Sequence, residues 1–290
     1  MLHLWSKPVH MLVEPHQVTA LMPIAGHGRD EMRDETTDEI VVAVAKPETG
    51  AGAYDGIGKA LCDILPQINS SARHRQLHGS CRLDLEVADT LVHYDVLKLD
   101  ARRLPPPELD HLAALALADT LCLDPASLVM RCSVQLDGLS AVVCGMPSAL
   151  VDVIKLACDD NGCRLNRLEP GFAAFWNGAF AHSKNHNALL ARLRGKSLML
   201  GWLRDGKWQA LAAERLSRSD WLALSESCEA FCRRLCVPDH AGLQIYFDAD
   251  IGDIPPAAHS RWQRLPPQPE ALSDAAAATT EASDIASNFA

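Results

Sequence analysis

Two apolar runs, at residues 128–136 and 139–145, are separated by Asp137-Gly138. Asp-Gly between such runs predicts a tight β-hairpin, because the turn needs a positive φ. The second run carries Ala141, Val142, Val143 and Cys144 without alternation and reads as a strand covered on both faces. It stops at Met146-Pro147, where a proline can open a helix. Leu150, Val151, Ile154, Leu156, Ala157 and Cys158 then form an apolar helical pattern, which ends at Asn161-Gly162, a natural left-handed stop. A short strand over 164–168 follows, then an aromatic helix with Phe172, Phe175 and Trp176.

Upstream of this stretch, residues 1–10 read as a loose start and 18–22 as a strand. Residues 26–38 are polar and charged and read as a loop, whereas 40–45 (IVVAVA) predict a short buried strand. Ile57, Leu61, Ile64 and Leu65 have helical spacing, in a helix expected to stop before Pro66. Leu83, Leu85 and Val87 alternate with Asp84 and Glu86 as in a half-buried strand, with a further strand over 91–99 and a helix over 108–121. Downstream, 188–193 read as helical, and 197–203 with 207–213 as a second hairpin around Arg204-Asp205-Gly206. Ser219 or Asp220 can cap a helix over 221–235, and 244–247 predict a final strand. From Pro255 the chain is rich in Pro, Ala, Ser and Thr and reads as a disordered tail.

In order and pattern, residues 83–247 resemble the actin-like group containing the type IV pilus assembly protein PilM, its relative MshI and the cytoplasmic part of type II secretion protein L. The resemblance rests on the strand that ends at Cys144-Gly145-Met146-Pro147, on the helix closing at Asn161-Gly162 before Cys163-Arg164-Leu165, and on the second hairpin. Where that group carries an arginine–tyrosine pair or similar, the nearest positions here are His93 and Tyr94, and the arginine is absent. The resemblance implies an α/β, two-lobed actin-like (RNase H-like) fold with a truncated second lobe and a disordered C-terminal tail. The expected division is a loose N-terminus over 1–10, a first lobe over 11–180, a small second lobe over 181–254 and a tail over 255–290. It also implies a non-catalytic scaffold of a bacterial pilus or secretion-type machine, binding protein partners in the cytoplasm at the inner-membrane face. One alternative is an ATP-binding actin-like protein with degenerate motifs. A second, of another class, is a cysteine-dependent metal or redox protein.

Actin-like ATPases hold phosphates with two Asp-x-Gly turns, one per lobe, whose backbone N–H groups face the phosphates. No such turn follows the first strand expected here, and Ala25-Gly26-His27-Gly28 is the nearest turn containing glycine. In the second lobe, Gly201 has no aspartate before it. Residues 52–59, GAYDGIGK, look like a glycine-rich phosphate loop and make Gly56, Gly58 and Lys59 the cofactor-binding candidates. They lack the P-loop spacing and the Ser or Thr after the lysine, so an ordinary loop is the simpler reading and no cofactor is expected. No Ser-His-Asp or Cys-His set has a recognisable strand–turn setting, and no catalytic residue is assigned.

A formal net charge of -10 argues against general attraction to nucleic acid or anionic membrane. Neither a signal peptide nor an apolar run of about 18–20 residues is visible. Most of the ten cysteines sit inside apolar runs, as small core residues do, and are expected to be reduced. Cys228, Cys232 and Cys236 recur every four residues and are the metal candidates. A straight helix spreads them over about 12 Å, too far for one ion. His182 and His186 lack the glutamate of a zinc-protease helix and read as linker histidines. Trp176, Trp202, Trp208 and Trp221 are expected in the core of the second lobe.

Overall fold

Alternating apolar residues in VHMLV and QVTALMP make the first hairpin, β1 (Val9–Val13) and β2 (Gln17–Pro23). The chain therefore enters a sheet within the stretch expected to be loose. The structure, a computed structural model, describes residues 8–23, 37–45, 52–74, 81–180, 187–238, 242–249, 251 and 260–265. Two compact units are built from alternating stretches of chain. The first takes the described residues of Met1–Leu91 with Met146–Pro170, and the second those of Val92–Gly145 with Gly171–Asn288. The consecutive division at residues 180 and 181 cuts the chain differently.

The first unit contains β1, β2, β3 (Thr37–Ala43), helix α1 (Asp55–His74), β4 (Arg82–Val87), and later α3 (Ser148–Asp160) and β8 (Arg164–Pro170). Its sheet runs β3-β2-β1-β4-β8, with β1 antiparallel to β2 and parallel to β4, which is parallel to β8. Register aligns Ala20, Met11, Leu85 and Leu168 in one apolar row across four strands. β3, expected to be buried, is an edge strand with Val41 half exposed. α1 continues through Pro66, because Ile57, Leu61, Ile64, Leu65 and Ile68 keep one buried face. The carbonyl that Pro66 leaves without a donor belongs to Cys62, an exposed residue that water can reach. α3 follows the predicted bounds, buries Leu150, Val151, Ile154 and Cys158, and packs on α1 and β8. Gly162, at φ +63°, makes the left-handed turn into β8.

In the second unit, β5 (His93–Lys98), β7 (Ser140–Pro147) and β6 (Leu128–Val134) form a sheet in the order β5-β7-β6, with helix α2 (Pro106–Leu121) packed on β5 and β6. The hairpin at Asp137-Gly138 is present, but its loop is longer than two residues. Gln135 N–H donates to the Ser140 carbonyl, and Gly138, at φ +66°, donates to the Gln135 carbonyl. The Gln135 side chain acts as a strand neighbour: it accepts from Trp208 N–H at 2.6 Å and donates to the Trp208 carbonyl at 2.9 Å.

Helix α4 (Gly171–Phe180) leads to β9 (Ala188–Arg194), β10 (Ser197–Arg204), β11 (Lys207–Arg215), helix α5 (Trp221–Arg234), β12 (Gln244–Ala249) and β13 (Trp262–Arg264). Residues 188–193 are thus a strand, not a helix. Continuous apolar runs do not distinguish a doubly covered strand from a buried helix. The sheet order β11-β10-β9-β12-β13 and the strand directions repeat those of the first unit. Leu189, Ala191, Leu193, Ile245, Phe247 and Trp262 lie in a core with α5, while Leu190, Tyr246, Trp208, Phe172 and Phe175 form another. At Gly201 a Cβ would come within 2.4 Å of the Trp208 ring and 2.9 Å of Phe172, so the bare backbone admits both aromatics. Asp220 caps α5 by accepting from Ala223 N–H at 2.8 Å. The predicted tryptophan cluster divides: Trp176 stacks edge-on to Trp208, whereas Trp221 does so to Trp262. The described α-helices of the second unit are α2, α4 and α5. β13 also places part of the expected tail in the fold, and the residues after Leu265 lie outside those described.

Ile154 is fully buried. Ile154→Ala should cost about 2–5 kcal/mol in urea unfolding, the range for truncating a buried aliphatic. A loss below about 0.5 kcal/mol, the surface range, would remove this face of α3 from the core.

Candidate functional site

Each five-stranded sheet opens with a hairpin, and the turn of that hairpin is the position to test for phosphate-binding chemistry. In the first unit the turn is Glu14-Pro15-His16. Glu14 N–H donates to the Gln17 carbonyl at 2.9 Å, and the Gln17 amide donates to the Glu14 carboxylate at 2.8 Å. Pro15 has no N–H. The turn therefore spends one donor internally, lacks a second and adds a carboxylate, the opposite of an anion cradle. Sequence reading missed it because it placed the first strand at 18–22; the alternation of Met11 and Val13 is the signal that would have found it. Ala25-Gly26-His27-Gly28 lies outside the described residues.

In the second unit the corresponding turn is Gly195-Lys196, between β9 and β10. Gly195 adopts φ +55°, and both residues are exposed. It is basic and holds no aspartate. Neighbouring Arg194 is engaged by Asp248 at 2.5 Å, and Arg192 lies 3.7 Å from the same carboxylate. The later Arg204-Asp205-Gly206 turn is an ordinary hairpin tip, with φ +52° at Asp205 and +73° at Gly206.

The glycine-rich segment opens α1. Asp55 accepts from Gly52 N–H at 2.7 Å, which places a carboxylate at the helix start. The N–H groups of Ile57 and Gly58 both donate to the Tyr54 carbonyl, at 3.0 and 3.1 Å. An incoming phosphate would meet Asp55 and donors already engaged. Gly56 and Gly58 lie where there is no room for a side chain. A Cβ at Gly56 would lie 2.3 Å from the Ala45 carbonyl oxygen, and one at Gly58 would lie 2.8 Å from Val153. Lys59 is exposed.

Among the cysteines, the structure separates the predicted set and assembles another. Cys228 and Cys232 are buried in the core beside α5, and burial raises both thiol pKa values. Cys236 is exposed beyond the helix end, at φ +50°. Among the described residues no group of three or more His, Cys, Asp or Glu side chains is arranged to hold a metal ion. His182 and His186 lie outside those residues. Cys81 and Cys163 immediately precede the paired strands β4 and β8 and stand side by side in their register. The Asn69 amide of α1 donates to Cys163 Sγ at 3.4 Å. The neighbouring Cys81 thiol, helped by Asn69 and opposed by burial, lowers the Cys163 pKa to about 7. Cys81 is raised by Cys163 and by burial, and burial lifts neighbouring Cys158 to about 12. Sequence spacing alone could not bring residues 81 and 163 together, because their proximity depends on the sheet order.

No family model and no curated protein matches the sequence. Solved structures do match. A Bacteroides thetaiotaomicron protein of actin-like ATPase fold and unknown function aligns with TM-score 0.50 and 6% identity, over 90% of this chain and 91% of that one. A chain of the PilM-PilN type IV pilus biogenesis complex aligns with TM-score 0.50 and 11% identity, over 81% and 67% respectively. The cytoplasmic domain of EpsL, an inner-membrane component of the type II secretion system of Vibrio cholerae, aligns with TM-score 0.48 and 14% identity, over 91% and 90%. The chain has the two-lobed actin-like fold.

If Gly56 serves packing, Gly56→Ala should destabilise the nucleotide-free protein by about 1–3 kcal/mol, the cost of overfilling a close contact. Lys59→Ala, on the surface, should stay within about 0.5 kcal/mol of the parent. Chemical unfolding of both variants checks this; an unchanged midpoint for Gly56→Ala would return that glycine to the list of ligand-binding candidates.

Proposed function

We propose that the chain is a non-catalytic actin-like scaffold of a type IV pilus or secretion-type assembly, binding partner subunits at the cytoplasmic face of the inner membrane. The observation that carries this reading is the Glu14-Pro15-His16 turn. A triphosphate brings several negative charges, and removing them from water requires convergent donors and a metal site. This turn offers a proline, an internally bonded N–H and a carboxylate. The fold shared with a chain of the PilM-PilN complex supports the choice of machine. Among the described residues no helix is long and apolar enough to cross a membrane, so the proposal places attachment through partners.

The alternative of a degenerate nucleotide binder draws support from the exposed, basic Gly195-Lys196 turn. Titration calorimetry with Mg-ATP separates the two readings. The scaffold reading expects no binding heat and no phosphate release above a heat-killed control. Micromolar binding that is lost in Lys196→Ala or Lys59→Ala would overturn it. Immobilised protein should retain pilus or secretion subunits from a detergent extract of inner membranes. Retention of none of them would count equally against the scaffold.

A further inference from the structure

β4 and β8 run parallel with Arg82 opposite Arg164, so Cys81 and Cys163 stand side by side one position earlier. Arg164 N–H donates to the Cys81 carbonyl at 2.7 Å, which continues the strand pairing up to the cysteines. Neighbouring strands lie about 4.8 Å apart, inside the Cα separation of roughly 4.4–6.8 Å that a disulfide spans. The two thiols are close enough that each shifts the pKa of the other. Asn69 is held in place by its own bond to the Asn161 carbonyl at 2.8 Å while it donates to Cys163 Sγ. Cys163 is 6% exposed and Cys81 half-buried.

We propose that Cys81 and Cys163 form a peroxide-oxidisable dithiol that closes to a disulfide between β4 and β8. Cys163 is the attacking sulfur and Cys81 the resolving one. The lowered pKa of Cys163 supports this order, since the thiolate is the nucleophile. The Cys163 thiolate attacks one oxygen of hydrogen peroxide, the O–O bond breaks, and the departing hydroxide takes up a proton to become water. Cys163 is left as a sulfenic acid. Cys81 then loses its proton and its sulfur attacks that of Cys163; the S–O bond breaks and the second oxygen leaves as water. The two thiols lose two electrons and peroxide becomes two waters. Cys228 and Cys232 are both fully buried in the core beside α5, away from an oxidant in water. The dithiol lies six residues along β4 from Val87, roughly 20 Å from the strand end that adjoins the Glu14-Pro15-His16 turn. It is independent of the scaffold reading.

The test uses the full chain, reduced and freed of reductant, exposed to hydrogen peroxide, alkylated, digested and mapped by mass spectrometry. The expected first product is an intramolecular Cys81–Cys163 link with the loss of two thiols. Cys81→Ser should instead trap Cys163 as a sulfenic acid that dimedone labels. Cys163→Ser should slow peroxide consumption roughly tenfold, as expected when the low-pKa thiol is removed. In the Cys81→Ser variant the thiol that lowers the Cys163 pKa is lost, so the pH profile is read on the parent, where the rate of linking rises through about pH 7 and levels above it. Asn69→Ala, which leaves both sulfurs in place, should shift that inflection upward. Links among the exposed Cys62, Cys122 and Cys236 of different copies, formed while Cys81 and Cys163 stay reduced, would overturn the proposal. So would the absence of any Cys81–Cys163 link under excess peroxide.

Discussion

Both units rest on one pairing requirement: the first strand of a hairpin must lie parallel to a strand that arrives after a helix. β1 takes β4 in this way, and β9 takes β12. A parallel neighbour cannot be reached through a tight turn, so the chain must cross back over the sheet. α1 and α5 make those crossings, and each buries the apolar face that the crossing needs. The same requirement puts β9 inside its sheet with neighbours on both sides and cores on both faces, which is why ALLARL carries almost no polar position. Gly201 follows from it too, because aromatic rings packed on this sheet need somewhere to approach the backbone.

Much of this was legible from residue patterns. The Asp137-Gly138 hairpin, the α3 face of Leu150, Val151, Ile154 and Cys158, the Asn161-Gly162 stop and the Asp220 cap are local features with local causes, and all are present. What escaped reading was set by tertiary context. Pro66 stays helical because the apolar spacing continues beyond it while its orphaned carbonyl is on an exposed residue. Residues 188–193 form a strand because both faces are covered, and such coverage is invisible to periodicity. The Cys81–Cys163 pair escaped for a related reason. Its partners are 82 positions apart and meet only once β8 takes its place beside β4.

Strand order and direction are the same in both five-stranded sheets, so each has a hairpin turn at the corresponding position. The turns themselves differ in character. One is acidic and deprived of a donor by proline, and the other is basic and glycine-containing. Segment 52–59 shows the complementary lesson. Its glycines suit a phosphate loop by composition, and Gly56 and Gly58 also lie where an added Cβ would crowd Ala45 and Val153.

The alternation of the two units along the chain governs the order in which the protein can be made. β8 is an edge of the first sheet, yet it follows β5, α2, β6 and β7, which belong to the second unit. On the ribosome, β1 to β4 must therefore wait, with β4 lacking its outer neighbour, until residue 170 has emerged. During that interval more than fifty residues of the other unit, Val92–Gly145, are already outside the tunnel without the strands β9 to β13 that complete it. Neither half can finish while the other is absent from the nascent chain. Synthesis thus holds both in an incomplete state together, with β4 an unpaired edge open to neighbouring chains.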